Sequence, residues 1–348
     1  MVHRLAQSQQ IHFPPIEPFL GNCSRPFWSV MITSYRRTDY LEKALRSVLA
    51  QDPGGDQMQI EVVDDCSPNQ AEIEAIVKKV GQGRISFYSS PANNGIFGNW
   101  NVCIQRARGH WVHILSDDDL VLPGFYEDCH QAIEEHSCSV VLGQSIYIDE
   151  QDQWIAVSAP LQPQRGLLKD ALKVLAKSNR VHTPAIVVAR EAYEKVGGFT
   201  TSLIFTPDWE MWTRLASTVE MAYVNKPFSC FRLHPGSETS RLMLSGDSIL
   251  DCFNASQIIQ ARLSNPTDRQ EVEQFLSHWL FRESLELSQK QARQGFYRPA
   301  LIHVAWALKL SPTFLSIKCI LPVLLNIPVS YLKRHLKVLL QQFVLTPS

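Results

Sequence analysis

The chain has 348 residues, 45% hydrophobic and 19% charged, enough for one large domain or two with a substantial core. A formal net charge of −1 gives no general case for nucleic-acid binding. That average conceals a split: 8 of the 33 Lys and Arg follow Glu286 and no Asp or Glu does, so the front carries 25 basic against 34 acidic residues. Such a division predicts a soluble body and a tail that meets an anionic surface.

The 8 cysteines are scattered and no CxxC pair occurs, so zinc spacing is absent. Several lie inside apolar runs, where Cys acts as a small hydrophobe, and reduced thiols in a cytosolic protein are expected. Met1 to Gln10 is polar and lacks the apolar core of a signal peptide.

In chain order, residues 1–26 hold Pro14, Pro15, Pro18 and Pro26 and read as an irregular lead-in. A buried strand is predicted over 27–32, opening into Thr33-Ser34-Tyr35-Arg36-Arg37. Thr38 or Asp39 is expected to cap a helix over 40–50, with Leu41, Leu45, Val48 and Leu49 on one face. A second strand over 59–63 ends in Asp64-Asp65-Cys66-Ser67. A helix over 70–80 and a strand over 84–88 follow. Asn93-Asn94-Gly95 then turns into a helix reaching Arg106. Trp111 to Leu115 is a short apolar strand, and Ser116-Asp117-Asp118-Asp119 follows it directly. A helix from Pro123-Gly124 to about His136 and an extended run over 138–148 come next. Further elements are a helix over 167–178, a strand over 185–189, and a helix capped by Asp208 that carries Trp209 and Trp212. Residues 221–224 and 227–233 read as two extended pieces. Near residue 240 the pattern changes to helices.

Alternating strands and helices imply right-handed βαβ units and a mostly parallel sheet. Ligands of such sheets sit beyond the carboxyl ends of the strands, where each polar cluster falls. The clusters should converge on one crevice. Three successive carboxylates repel one another there, and partial burial sharpens the repulsion. A hard divalent cation such as Mg²⁺ or Mn²⁺, shared with substrate phosphates, would relieve it. A solvated acidic turn or a helix cap would use the same residues. The G-x-G-x-x-G fingerprint after the first strand is missing, which weighs against a dehydrogenase.

With these residues in view the chain resembles family 2 glycosyltransferases of the GT-A fold. The resemblance covers roughly 27–240 through SVMITSYRR, LEKALRSVLAQ, EVVDDCS, NNGIFGNWN, HILSDDDLVLPG, EKVGGF, PDWEMW and RLHPGS, in that order. It implies an α/β catalytic domain of the nucleotide-diphospho-sugar transferase type, a divalent metal (Mn²⁺ or Mg²⁺) and a UDP- or dTDP-sugar donor. By position, Thr33, Tyr35 and Arg37 would border the base and ribose. Asp65 would accept from a pyrimidine, with Asp64 and Asn94 nearby, and Asp117 would face the ribose. Asp118 would be the main metal ligand, beside Asp119, with His234 as a further metal or diphosphate contact. Asp208 would be the general base. The family's commoner forms have an acid where this chain has Ser116, and often Glu where it has Pro207.

The tail over 241–348 lies outside those motifs. Residues 300–310 and 331–340 are amphipathic. Residues 314–332 are apolar but interrupted by Lys318, Pro322, Asn326 and Pro328, so an interfacial segment is expected rather than a span, with Lys333, Arg334 and Lys337 at anionic headgroups. Packing of these helices on the catalytic domain, or a dimer contact, is the competing expectation. The reading is a cytoplasmic enzyme, peripheral on the membrane. It transfers one sugar with inversion to a glycan or lipid-linked acceptor in polysaccharide or cell-envelope synthesis. It is non-processive, because the Q-x-x-R-W signature and multiple spans of the processive synthases are absent. The rival readings are a nucleotide-sugar-binding scaffold without catalysis and a metal-dependent nucleotidyltransferase.

Overall fold

The computed structural model describes residues 11–21, 24–311 and 314–335. Residues 1–10 of the lead-in and 336–348 of the tail, with Lys337, lie outside the described residues.

The sheet grows from β1 (Trp28–Ser34) and β2 (Met58–Asp64), which are buried almost throughout, as parallel strands covered on both faces must be. Side chains alternate between the faces. Val30 and Ile32 join one core with Ile60 and Val62, while Met31 and Val63 join the other. The first core is closed by α1 (Leu41–Leu49), α2 (Gln70–Gly81) and α4 (Phe125–Glu135). The second is closed by α3 (Gly95–Arg106), α6 (Arg190–Val196) and α7 (Pro207–Ala216).

Strand order is β3 (Ser86–Ser89), β2, β1, β4 (Trp111–Ser116), β9 (Ile186–Ala189), β6 (Val140–Ile148), β10 (Met221–Arg232) and β5 (Leu120–Val121). β1 to β4 are parallel in this row, as are β6 and β10; β9 runs antiparallel between the two groups. β7 (Trp154–Val157) pairs with β6, and β8 (Gly166–Leu167) with β10. The two extended pieces expected over 221–233 are one strand. Its register slips between Val224 and Ser229, because Pro227 has no N–H to give the ladder.

Register fixes the functional rim. Thr33 lies opposite both Val63 and Ser116, and Ser34 opposite Asp64, so three strands end in step. Beyond them, Asp65 N–H donates to Ser34 O (2.9 Å) and Asp117 N–H to Thr33 O (3.1 Å). Helix starts depart from expectation in two places. α1 begins after Tyr40 without a side-chain cap, so neither Thr38 nor Asp39 caps it. α7 begins after Thr206, and Asp208 sits inside its first turn.

Among the described residues the sheet is followed by α8 (Glu238–Ser245), α9 (Asp247–Gln260), α10 (Pro266–Arg293), α11 (Tyr297–Leu310) and α12 (Phe314–Leu325), with residues 329–335 helical beyond them. Asn265 caps α10 by accepting from Thr267 N–H (2.9 Å), with Pro266 at the first helical position. α9 and α10 pack on α7 and on α5 (Ala171–Ala176) through Trp209, Ala255, Ile259 and Leu276. Among the described residues no helix is long and apolar enough to cross a membrane.

Candidate active site

β4 delivers Ser116 to the rim, the three aspartates turn there, and β5 pairs back onto β10 at Ser229 and Cys230. Arg232 braces this turn. Its N–H donates to Asp119 Oδ1 (2.9 Å) and its Nε to Asp118 O (2.8 Å). Its guanidinium also reaches Asp149 O (2.8 Å) and Asp152 Oδ1 (2.6 Å), and lies over the Tyr40 ring at 4.2 Å. Asp118 Oδ2 meets His234 Nε2 at 3.0 Å. Asp117 is buried 3.7 Å from Arg37 Nε, with its Oδ2 unpartnered. Burial first, and then the Asp118 charge, pushes the carboxyls of both Asp117 and Asp119 well above the usual range, while Arg37 and Arg232 oppose the shift.

The expected metal set therefore divides. Asp118 and His234 come together, whereas one oxygen of Asp119 is held by Arg232. Among the described residues no group of three His, Cys, Asp or Glu side chains forms a ready-made metal cage. A carboxylate and an imidazole side by side still fit a Mn²⁺ or Mg²⁺ ion that takes its remaining oxygens from a diphosphate and water.

At the neighbouring strand ends, Asp65 Oδ1 accepts from Asn94 N–H (2.7 Å) and Asn94 Nδ2 (3.2 Å). Asp64 turns the other way: its Oδ2 accepts from Ser67 N–H (2.9 Å) and the Ser89 hydroxyl (2.8 Å), which ties the loop to β3. Arg36 and Cys66 both have positive φ, at 63° and 59°. Arg36 N–H donates to Ser67 Oγ (2.7 Å), so the two loops hold each other in these left-handed turns. Arg37 donates to Gly236 O (3.0 Å); Tyr35 is exposed and Thr33 partly buried.

Asp208 approaches from α7. Its Oδ1 accepts from Trp209 N–H (2.8 Å) and its Oδ2 from Asn179 Nδ2 (2.9 Å). Burial raises its carboxyl to about 6 against these two hydrogen bonds, and the charge of Asp251 adds to the rise. The loop before it is tied to α9. The Asp251 carboxylate accepts from the backbone N–H groups of Ile204 (2.9 Å), Phe205 (2.9 Å) and Thr206 (2.8 Å) and from the Thr206 hydroxyl (2.8 Å). Behind Asp208, the wholly buried Glu210 pairs with Arg214 (3.1 Å) and with Arg262. Arg214 also donates to Val196 O (2.5 Å) and Gly198 O (2.9 Å). The Gly197-Gly198 turn is thereby fixed, at a place where φ of Gly197 is 82° and a Cβ on Gly198 would run into Asn101.

One cleft of about 480 Å³ is walled by Ser116, Asp118, Asp119, Arg232 and Asp208 together. Thr33, Tyr35, Arg37, Asp64, Asp65, Asn94, Asp117 and His234 lie at the same sheet edge outside that wall. The cleft adds residues that sequence reasoning passed over. Asn179 holds Asp208, and its own Oδ1 is buried without a partner. His182 bonds the Tyr147 hydroxyl (2.8 Å) and stacks on Phe231 at 4.3 Å. Burial lowers its pKa to about 4, which keeps the ring neutral. Neither residue stands in a recognisable pattern; only the R-x-H stretch could have singled out Arg232.

Residues 29–197 match the family model for glycosyl transferase family 2. The chain is 33% identical to the succinoglycan biosynthesis protein ExoO of Rhizobium meliloti over 98 residues, 28% of this chain and 27% of that protein. Its fold is similar to S. aureus TarS 1-349 crystallised with UDP-GlcNAc, with a TM-score of 0.59 and 18% identity over 91% of this chain and 88% of TarS 1-349. It is also similar to the mannosyltransferase PcManGT of Pyrobaculum calidifontis with GDP-Man and Mn²⁺, with a TM-score of 0.52 and 14% identity over 99% and 93% of the two chains. The sheet, its acidic rim and the matched segment agree: residues 29–197 are a glycosyl transferase family 2 domain.

Proposed function

We propose that the protein transfers one sugar, with inversion, from a nucleoside diphosphate sugar to a hydroxyl of a glycan or lipid-linked acceptor. The carrying observation is that Asp118 and Asp208, 90 positions apart in the sequence numbering, line one cleft. The acceptor hydroxyl gives its proton to the Asp208 carboxylate as its oxygen attacks the anomeric carbon. The bond from that carbon to the diphosphate oxygen breaks on the opposite face, and the anomeric configuration inverts. Asn179 keeps the carboxylate aimed, and burial keeps it basic enough to take a proton at neutral pH.

Asp118 and His234 would hold the divalent ion, with Asp119 fixing their loop through Arg232. Bound there, Mn²⁺ or Mg²⁺ supplies charge neutralisation for the departing diphosphate. Thr33, Tyr35, Arg37, Asp65, Asn94 and Asp117 form the nucleotide side, with Asp64 setting the loop. The UDP-GlcNAc in the TarS structure supports a UDP- or dTDP-sugar donor, and the likeness to ExoO supports a role in polysaccharide or cell-envelope synthesis. In this reading residues 27–240 are the catalytic unit and 241–348 a helical addition. α12 exposes Ile317, Leu321 and Leu325 at helical spacing, with Lys333 and Arg334 exposed beyond it. These features support a peripheral seat on an anionic, cytoplasmic membrane face.

Two measurements test the donor and the stereochemistry. A melting-temperature screen of UDP, dTDP and GDP should give stabilisation by a uridine or thymidine diphosphate that requires Mn²⁺ or Mg²⁺. NMR of the product from an α-linked donor should give a β-linkage. No metal-dependent stabilisation by any nucleoside diphosphate, or a retained anomer, would refute the proposal. Pyrophosphate release from a nucleoside triphosphate would favour a nucleotidyltransferase instead.

A further inference from the structure

The cleft continues past Asp208 into the helices that follow the family-matched segment. Trp279, Glu283 and Leu287 stand four residues apart along α10, so they share one helix face, and all three line the cleft. The same cleft is lined by Phe205 from the loop before Asp208, Leu242 and Met243 from α8 and Ile249 from α9, with Thr239 and Ser248 as polar neighbours on those two helices. Glu238 of the lining is paired with Arg241, whereas Glu283 is partly buried with neither a hydrogen bond nor an ion pair among the described residues. Burial raises its pKa, with Glu286 adding to the rise and Arg282 opposing it.

We propose that this extension binds the part of the acceptor next to the accepting hydroxyl, and that this part is an apolar chain: the acceptor is lipid-linked rather than a free glycan. The inference rests on Asp208 being the base, because that assignment places the accepting hydroxyl at the mouth of the extension. A sugar ring presents hydroxyls on most sides, and against Leu, Met and Ile walls these would lose water without gaining partners. An alkyl or isoprenoid chain gains from every methylene it buries there. Glu283 and the buried, unpartnered Ser248 hydroxyl supply the few polar contacts for a group at the chain's head. The same α10 packs against α11 and α12, where Ala292, Val304 and Val323 share a cluster, and α12 carries the exposed apolar stripe. A chain held at a lipid surface therefore has a continuous helical unit to follow into the cleft.

Calorimetry on the full chain loaded with UDP and Mn²⁺ tests this, with n-octyl β-D-glucoside below its micellar concentration against methyl β-D-glucoside. The two share a head, so any difference reports the chain alone. The octyl glycoside should bind at least about ten-fold tighter, as burial of two or more methylenes gives. Trp279→Ala and Leu287→Asn should each bring it within about three-fold of the methyl glycoside, with UDP binding unchanged. Trp154→Ala, at an exposed residue that does not line the cleft, should change nothing. If Leu287→Asn loses UDP binding, Met243→Gln takes its place. Equal binding of the two glycosides overturns the proposal. So does a preference that survives the cleft substitutions or disappears in Trp154→Ala. Equilibrium binding needs no proton transfer, so failure of the base assignment is read separately, from transfer by Asp208→Asn.

Discussion

The Asp251 carboxylate takes both the N–H and the hydroxyl of Thr206, each at 2.8 Å, and so ties the first residue before α7 to a helix outside the family-matched segment. A carboxylate that accepts four hydrogen bonds on one loop sets that loop's path, and this loop leads directly to Asp208. The helical tail thus contributes to the candidate active site as well as to the core.

Asp251→Asn keeps the shape but replaces one oxygen by a donor facing backbone N–H groups. We expect kcat to fall roughly ten-fold with little change in donor KM, since charge-assisted hydrogen bonds of this kind contribute about 1.5–3 kcal/mol each. Steady-state kinetics with the two substrates varied separately checks this. An unchanged kcat would remove Asp251 from the positioning of the base.

The rate should depend on pH through Asp208. Its carboxyl is raised to about 6, and only the ionised form accepts a proton, so kcat should rise with pH through about 6 and then level off. Asp251 is one source of the rise, so Asp251→Asn should move this acid limb to lower pH. A limb that moves upward would contradict the assigned cause.

Glu210 is wholly buried between Arg214 and Arg262. Glu210→Ala leaves two guanidinium groups facing each other without a carboxylate, which should destabilise the fold by about 3–5 kcal/mol. Urea unfolding measures this directly. The effect should appear without nucleotide and should not depend on metal.

Asp118 and Asp119 should separate by phenotype. Asp118→Asn should raise the Mn²⁺ concentration for half-maximal activity at least about ten-fold, as loss of a ligand or its close support does. Asp119→Asn weakens the tie to Arg232 instead, and should lower the melting temperature of the metal-free protein more than Asp118→Asn does. A metal titration of both variants, with melting curves alongside, decides it.

Much of the rim was legible because its strands are buried apolar runs with polar residues crowded at one end. Val30 to Ile32 and Trp111 to Leu115 could only be interior strands, and parallel topology then gathers Thr33, Asp65 and Asp118 at one edge. What escaped reading depends on distance in the chain. Asn179 is 29 residues from Asp208, and Asp251 is 45 from Thr206, with no periodic pattern joining either pair. Asp118 and His234 are 116 residues apart and were paired only through the family resemblance. Asn225-Lys226-Pro227 resembles a break between strands, yet a register slip absorbs it and β10 runs through. Thr38 and Asp39 have capping chemistry, but α1 starts at Leu41 because Leu41, Leu45 and Val48 bury there without a cap.

The division of labour across the cleft, donor at Asp118 and acceptor at Asp208, is tested most directly by transfer and UDP binding measured side by side on Asp208→Asn. Transfer should fall by roughly 10²–10⁴-fold while UDP binding in the presence of Mn²⁺ stays within about two-fold of the parent protein. Transfer at the parent rate, or loss of UDP binding in step with transfer, would contradict it.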